Sequence, residues 1–266
     1  MDESKKQEII LITGASTGIG YDLAERFARE GFKRLVLVSR NKEKLSEAAE
    51  KLRRNFGAEP FVIAKDLSRS GSAAQLFVEL QSRDIQPDIL INNAGVGMHG
   101  FFVEGSPEKQ SEMMHLNMIS ITELTRLCLP AMLKKRQGKI LNVASTAAFQ
   151  AGPLMAVYYA SKAYVLSLSE ALANEFKGTG VTMSVLCPGP TRSEFWTAAE
   201  IPGEMKLFKL SMMDSVPVAE LGYRGLMKGK TLLIPGFMNR FLQFGTRFVP
   251  RKLVTGVVRF IQGHGR

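Results

Sequence analysis

Seven short runs rich in Val, Ile and Leu, at 9–13, 35–39, 61–64, 89–92, 139–143, 181–186 and 231–234, punctuate this chain, with helix-like segments between them. The runs are apolar without alternation, whereas a strand with one wet face carries a polar residue at every second position. Burial on both faces follows, and with it a parallel sheet covered by helices and wound right-handedly on each side, an α/β fold. The 266 residues fit one such domain, taken as 1–235, with an appended tail at 236–266. In sheets of this kind ligands gather at the carboxyl ends of the strands, so the residues just after each run carry the chemistry.

The first run is followed by Thr13-Gly14-Ala15-Ser16-Thr17-Gly18-Ile19-Gly20 and then by an amphipathic helix at 21–29. Glycines at 14, 18 and 20 let the backbone approach a pyrophosphate at the positive end of a helix, with Ser16, Thr17 and Ile19 in the same turn. A tight strand-to-helix turn built of small residues for packing reads the same in isolation, and the spacing is not that of the commoner dinucleotide fingerprint. The second run ends in Ser39-Arg40, where a site for NAD usually holds an acidic residue against the ribose 2′-hydroxyl. A serine followed by a guanidinium suits a 2′-phosphate, so NADP(H) is expected over NAD(H). The alternative is that Arg40 simply opens the charged helix at 41–56.

Tyr158 and Lys162 stand four residues apart and share one helix face. A phenol ionises near pKa 10, and a neighbouring cation favours the phenolate, which brings the group into range for acid/base chemistry. Tyr159 has alanine at 163 and lies on another face, so it is expected to pack.

These features occur in order with Asp66-Leu67 after the third run, Asn92-Asn93-Ala94-Gly95 after the fourth, Asn117, Ser145 after the fifth, and Pro188-Gly189 after the sixth. In that combination the chain resembles the short-chain dehydrogenase/reductase family over residues 8–235. The resemblance implies a Rossmann-like doubly wound sheet of seven parallel strands. It implies that Gly14, Ser16, Gly18, Ile19 and Gly20 bind phosphate, that Asp66 accepts from the adenine amino group beside Leu67, and that Asn93, Ala94 and Gly95 run along the ribose. Asn117, Ser145, Tyr158 and Lys162 match the catalytic tetrad, and Pro188, Gly189 and Thr191 match the segment over the nicotinamide. Lys162 is then expected to bind ribose hydroxyls as well, and Asn117 to anchor water in a proton path. A homodimer or homotetramer, assembled through 108–134 and 155–176, is likewise implied.

Substrate contacts are expected from Met98, Ser145, Phe149, Tyr158, Phe195 and Trp196, with Leu154, Leu207, Phe208, Met212 and Met213 nearby and a lid at 190–215. Such a lining favours an apolar ketone or aldehyde over a sugar. The alternative is that these side chains pack the lid onto the body or a neighbour. His99, alone in a loop, is expected to be solvated. A second class of function is an NADP(H)-binding regulator or scaffold without turnover, against which the intact tetrad argues.

Nine of the ten net positive charges fall in 221–266, which contains no Asp or Glu. Pro250 divides the tail into two helical pieces. The first has Phe237, Phe241, Phe244 and Phe248; the second has an apolar stripe of Leu253, Val254, Val257, Val258 and Ile261. Basic amphipathic helices of this kind suit peripheral contact with an anionic membrane, the alternative being that the stripe docks on the body or a partner chain. The charges alternate with aliphatics and form no recognised nucleic-acid motif. Neither the N-terminus nor any apolar run reads as a leader or a span. Cys128 and Cys187 suit buried thiols in a reducing cytoplasm and suggest no metal site.

Overall fold

The structure, a computed structural model, describes residues 6–199 and 212–263. Strands β1 (Ile9–Thr13), β2 (Arg34–Ser39), β3 (Glu59–Ala64), β4 (Ile89–Asn92), β5 (Gly138–Val143), β6 (Val181–Leu186) and β7 (Leu232–Leu233) form one sheet. Its order is β3-β2-β1-β4-β5-β6-β7 and every pairing is parallel. The apolar runs of the sequence are these strands. The last contracts to two residues at the edge, where it pairs only with β6.

Helices α1 (Gly18–Arg29), α2 (Lys42–Phe56), α3 (Ser72–Ser82), α4 (Pro107–Met114), α5 (Ser120–Lys135), α6 (Ala156–Glu175) and α7 (Ser215–Met227) cover both faces. Successive side chains of β1 point to opposite sides of the sheet. Ile10 and Ile12 join Leu35, Leu37 and the α1 and α7 residues Phe27 and Tyr223, while Leu11 joins Val36, Val38 and Leu76, Leu124 and Met132 of α3 and α5. This two-sided burial is why the strands lack alternation. Phe27 is fully buried and meets Phe32 and Tyr223 edge-on at 5.2 and 5.0 Å. Such a ring is worth about 3–5 kcal/mol against alanine.

The strand order reverses at β1, which has β2 on one side and β4 on the other, and the crevice outside their carboxyl ends is where this topology places a ligand. Two local features bear on that crevice. Helix α1 begins at Gly18, three residues earlier than expected, so the last three residues of the glycine turn belong to the first turn of the helix. Asn117 sits in a π-turn, His115–Ile119, between α4 and α5, a widening often found at functional sites.

The tail forms α8 (Phe237–Gly245) and α9 (Arg251–Gln262), separated at Pro250 as expected. The expected single stripe on α9 is corrected: Val254, Val258 and Ile261 are half-buried toward the body, whereas Leu253, Val257 and Phe260 face outward. Helix α8 is turned further inside out. Its polar Gln243 is buried and Asn239 half-buried, while Phe237 is 84% exposed and Phe241 and Phe244 are also exposed. Asn239 Nδ2 donates to the Pro235 carbonyl at 2.8 Å and lies against Gly189. Residues 200–211 of the expected lid, Leu207 and Phe208 among them, lie outside the described residues.

Candidate active site

Thr13, the last residue of β1, ties the two sides of the strand reversal together. Its Oγ1 accepts from the amides of Asn93 and Ala94, each at 3.0 Å, and Asn93 Nδ2 donates to the carbonyls of Thr13 and Gly14 at 3.0 Å. The glycine turn is therefore braced from β4. Gly14 (φ 65°) and Gly18 (φ 58°) take left-handed backbone that costs other residues about 1–2 kcal/mol. Gly20 is required by space: a Cβ there would lie 2.2 Å from the Gly14 carbonyl oxygen.

The turn fits a pyrophosphate. Thr17, at the N-cap of α1, makes no side-chain cap bond, and the first turn carries no acidic residue, so its positive end is left for an anion. Further along the crevice, Asp66 accepts from the amide and hydroxyl of Ser68 at 3.0 and 2.7 Å. Burial would raise its carboxyl, but those bonds and the charges of Arg40 and Arg69 outweigh it and hold the carboxyl below its ordinary range. Ser39 and Arg40 line the same space with Lys44 and Lys65, and Lys44 Nζ pairs with Glu194 at 2.6 Å.

The expected catalytic side chains converge beyond β4 and β5. Ser145 follows β5 and caps the short turn Thr146–Phe149, its Oγ accepting from the Ala147 amide at 3.1 Å. Tyr158 and Lys162 lie one turn apart on α6, and Lys162, 4% exposed, donates to the Val143 carbonyl at 2.9 Å. Asn117 is fully buried. Its Oδ1 accepts from the Val96 amide at 3.0 Å, and its Nδ2 donates to the Val96 carbonyl at 2.9 Å and to Ser161 Oγ at 3.0 Å. Ser161 in turn donates to the Tyr158 carbonyl at 2.7 Å. Gly95 leaves room between them, because a Cβ there would meet Lys162 Nζ at 3.2 Å and Asn117 Oδ1 at 3.3 Å. The Asn117 amide is thus committed to holding the loop after β4 against α6.

The expectation that the lysine pulls the Tyr158 phenol down is not what this geometry gives. Burial dominates and pushes Tyr158 up to about 12, although the residue keeps some accessible surface; the hydrogen bond with Ser145 pulls it back only in part. Burial likewise brings Lys162 down to about 8. Tyr158 therefore carries its proton at neutral pH.

A cavity of about 410 Å³ joins these parts. Of the expected positions, Gly14, Ser16, Thr17, Gly18, Ile19, Ser39, Arg40, Asp66, Leu67, Asn93, Ala94, Gly95, Ser145, Tyr158, Lys162, Pro188, Gly189, Thr191, Phe195 and Trp196 line it. Gly20 and Asn117 stand behind the wall. Met98 and Phe149 do not reach the cavity: Met98 lies against Gly105, and Phe149 packs on the cluster containing Val165 and Cys187. Phe195, in the short helical turn Phe195–Ala198, sits over Gly97 with its ring centroid 5.3 Å from that of Tyr158.

The sequence reading missed Lys44, Lys65 and Gln262 in the lining, and expected of Tyr159 only that it packs. Lys44 was discoverable, lying four residues beyond Arg40 at the start of α2. Gln262 was not, because nothing in a tail sequence tells where its end comes to rest. Tyr159 packs as expected, 8% exposed among Ala147 and Met155, but it also borders the cavity. His99 is not merely solvated, its Nε2 lying 3.3 Å from the Gln262 carbonyl oxygen.

Known proteins share this fold. A family model described as short chain dehydrogenase matches residues 8–201. A ketoacyl reductase of Nostoc sp. is 34% identical over 207 residues, covering 78% of this chain and 71% of that protein. A short-chain dehydrogenase from Sphingobium yanoikuyae, solved in complex with NADPH, superposes with a TM-score of 0.80 at 32% identity over 97% of this chain and 98% of that one. A bulky-bulky ketone specific alcohol dehydrogenase from Comamonas testosteroni gives 0.77 at 29% identity over 98% of each chain. With its glycine turn, its parallel sheet and the family match spanning most of the domain, the chain belongs to the short-chain dehydrogenase/reductase family, oxidoreductases acting on CH–OH and C=O groups.

Proposed function

We propose that this protein transfers hydride between NADP(H) and an apolar ketone or aldehyde, or the corresponding alcohol, with Tyr158 as general acid/base. The observation that carries the reading is that Ser145, Tyr158 and Lys162 open into the same cavity as the glycine turn and Arg40. A reduced nicotinamide supplies the hydride. The chain's part is to place the carbonyl oxygen between Ser145 Oγ and the Tyr158 hydroxyl, so that a protonated phenol delivers its proton as alkoxide charge develops. Lys162 holds positive charge beneath that phenol, and Asn117 positions both α6 and the loop after β4.

Preference for the 2′-phosphate rests on Arg40, with Lys65 nearby and no carboxylate at the end of β2. An apolar substrate is supported by Met155, Phe195 and Trp196 in the wall, and by the bulky-ketone specificity in the name of the Comamonas enzyme. Turnover also distinguishes this reading from a silent NADP(H)-binding scaffold. NADPH oxidation measured over a panel of bulky aliphatic and alicyclic ketones should exceed that over small polar carbonyls. Preference for the polar set defeats the substrate assignment, and absence of turnover with any carbonyl favours the scaffold.

The tail supports a companion proposal, contact with an anionic lipid surface. Exposed Phe237, Phe241, Phe244, Phe248, Leu253 and Phe260 stand among Arg240, Arg247, Arg251 and Lys252, with no acidic residue in the segment. An outward aromatic face among cations matches a headgroup boundary. A like-charged second copy is a poorer occupant. Assembly through α4–α6 into a homodimer or homotetramer, in the cytoplasm, completes the proposal.

A further inference from the structure

The end of the tail forms part of the cavity wall. Gln262, the last residue of α9, keeps 2% of its accessible surface and lines the cavity beside Tyr159. Its Nε2 donates to the Tyr159 hydroxyl at 2.6 Å, its backbone carbonyl oxygen lies 3.3 Å from His99 Nε2, and Val258 one turn earlier packs on Ala147, Met155 and Tyr159. One contact therefore holds the side chain, and two hold the end of the helix that carries it.

One atom of this well-held amide is left over. Gln262 Oε1 is shielded from solvent and has no hydrogen-bond partner. Buried polar atoms are almost always paired, and because Gln262 borders the cavity, a turn of its amide toward that space would give this unused valence a ligand atom to meet. The Tyr159 hydroxyl both donates and accepts, so turning the amide over preserves that bond and presents the amide N–H in place of the oxygen. The spare valence thus serves a hydroxyl as readily as a carbonyl oxygen.

We propose that Gln262 is a second polar anchor for the substrate. While Ser145 and Tyr158 hold the reacting carbonyl, Gln262 recognises a hydroxyl or carbonyl oxygen carried elsewhere on an otherwise apolar ketone. The proposal rests on the ketone-reducing reading above and narrows it, from apolar ketones in general to bulky ones bearing one further oxygen. It also gives the tail a task within the site, since only the docking of α9 brings Gln262 there.

The test uses two bulky alicyclic ketones of one carbon skeleton, one with a hydroxyl remote from the carbonyl and one with hydrogen in its place. A site built to hydrogen-bond an oxygen disfavours the analogue that lacks it, so full-length wild type should prefer the hydroxylated ketone by about tenfold or more in kcat/KM. Most of that preference should lie in KM. In Gln262→Leu the ratio should fall to about one, with NADPH affinity retained as the sign of an intact fold. Affinity of both ketones for the NADP-loaded protein, measured by calorimetry, should show the same ratio and the same loss. If wild type turns over neither ketone yet binds the hydroxylated one more tightly, and Gln262→Leu does not, the reductase reading fails and the anchor stands. A ratio that is equal in wild type and Gln262→Leu, in turnover or in binding, overturns the anchor.

Discussion

Lys162 Nζ lies 5.8 Å from the centroid of the Tyr158 ring, yet its hydrogen bond goes to the carbonyl of Val143. The two groups share a helix face, as their spacing requires, with Lys162 buried at the end of β5 and Tyr158 half-buried beside the cavity. Burial acts on them in opposite directions, keeping the phenol protonated and making the ammonium easier to deprotonate.

That burial has a measurable consequence for stability. Lys162 titrates at about 8 in the fold against 10.5 for an unperturbed lysine. Below pH 8 both folded and unfolded chains hold the proton and the full cost of burying the charge is present. Between about 8 and 10.5 the unfolded chain binds more protons, so stability rises with pH. Displacing a pKa by one pH unit is worth about 1.4 kcal/mol, so in urea denaturation wild type should gain on Lys162→Met by roughly 1–3 kcal/mol between about pH 7.5 and 10. A difference that stays flat with pH would show that the ammonium is not destabilised by its surroundings.

Arg40 should separate the two nicotinamide cofactors. It stands at the end of β2 with its guanidinium charge acting on Asp66 across the crevice. Loss of a charge-assisted bond to a 2′-phosphate costs about 1.5–3 kcal/mol, so Arg40→Ala should raise the KM for NADPH by roughly 10- to 100-fold and leave that for NADH nearly unchanged. Equal effects on the two cofactors would remove the assignment.

The tail prediction is read on vesicles. Full-length protein should sediment with vesicles containing phosphatidylglycerol and far less with neutral phosphatidylcholine, each cation near the surface contributing about 1 kcal/mol. Replacing Phe237, Phe241 and Phe244 with serine should weaken this binding while sparing the body, since these rings are exposed. Equal sedimentation of the triple variant and wild type would end the lipid assignment.

Much of the molecule was legible in the sequence. Continuous apolar runs announced a sheet buried on both faces, and Ile10 and Leu11 show why, each belonging to a different core. Gly14, Arg40, Ser145 and Tyr158 could be found because they occupy the carboxyl ends of strands or the helix beyond them, where this topology gathers a ligand. Side chains reached through tertiary docking were harder. Met98 comes soon after β4 but turns to Gly105, while Gln262 reaches Tyr159 from 103 residues further along the chain. The inward polar and outward aromatic faces of α8 were equally hidden, since helical periodicity reveals two faces without saying which one meets the body. The Tyr158 expectation failed for another reason: counting only the neighbouring cation leaves out the cost of burial.

The central claim is that Tyr158 gives the proton that completes carbonyl reduction. The most direct measurement is NADPH oxidation by Tyr158→Phe with a bulky apolar ketone, alongside NADPH binding by fluorescence. Loss of a positioned general acid costs about 10²–10⁴ in rate, so kcat should fall by that factor with cofactor affinity within a few-fold of wild type. A Tyr158→Phe protein that reduces the ketone at a rate near wild type would contradict the account.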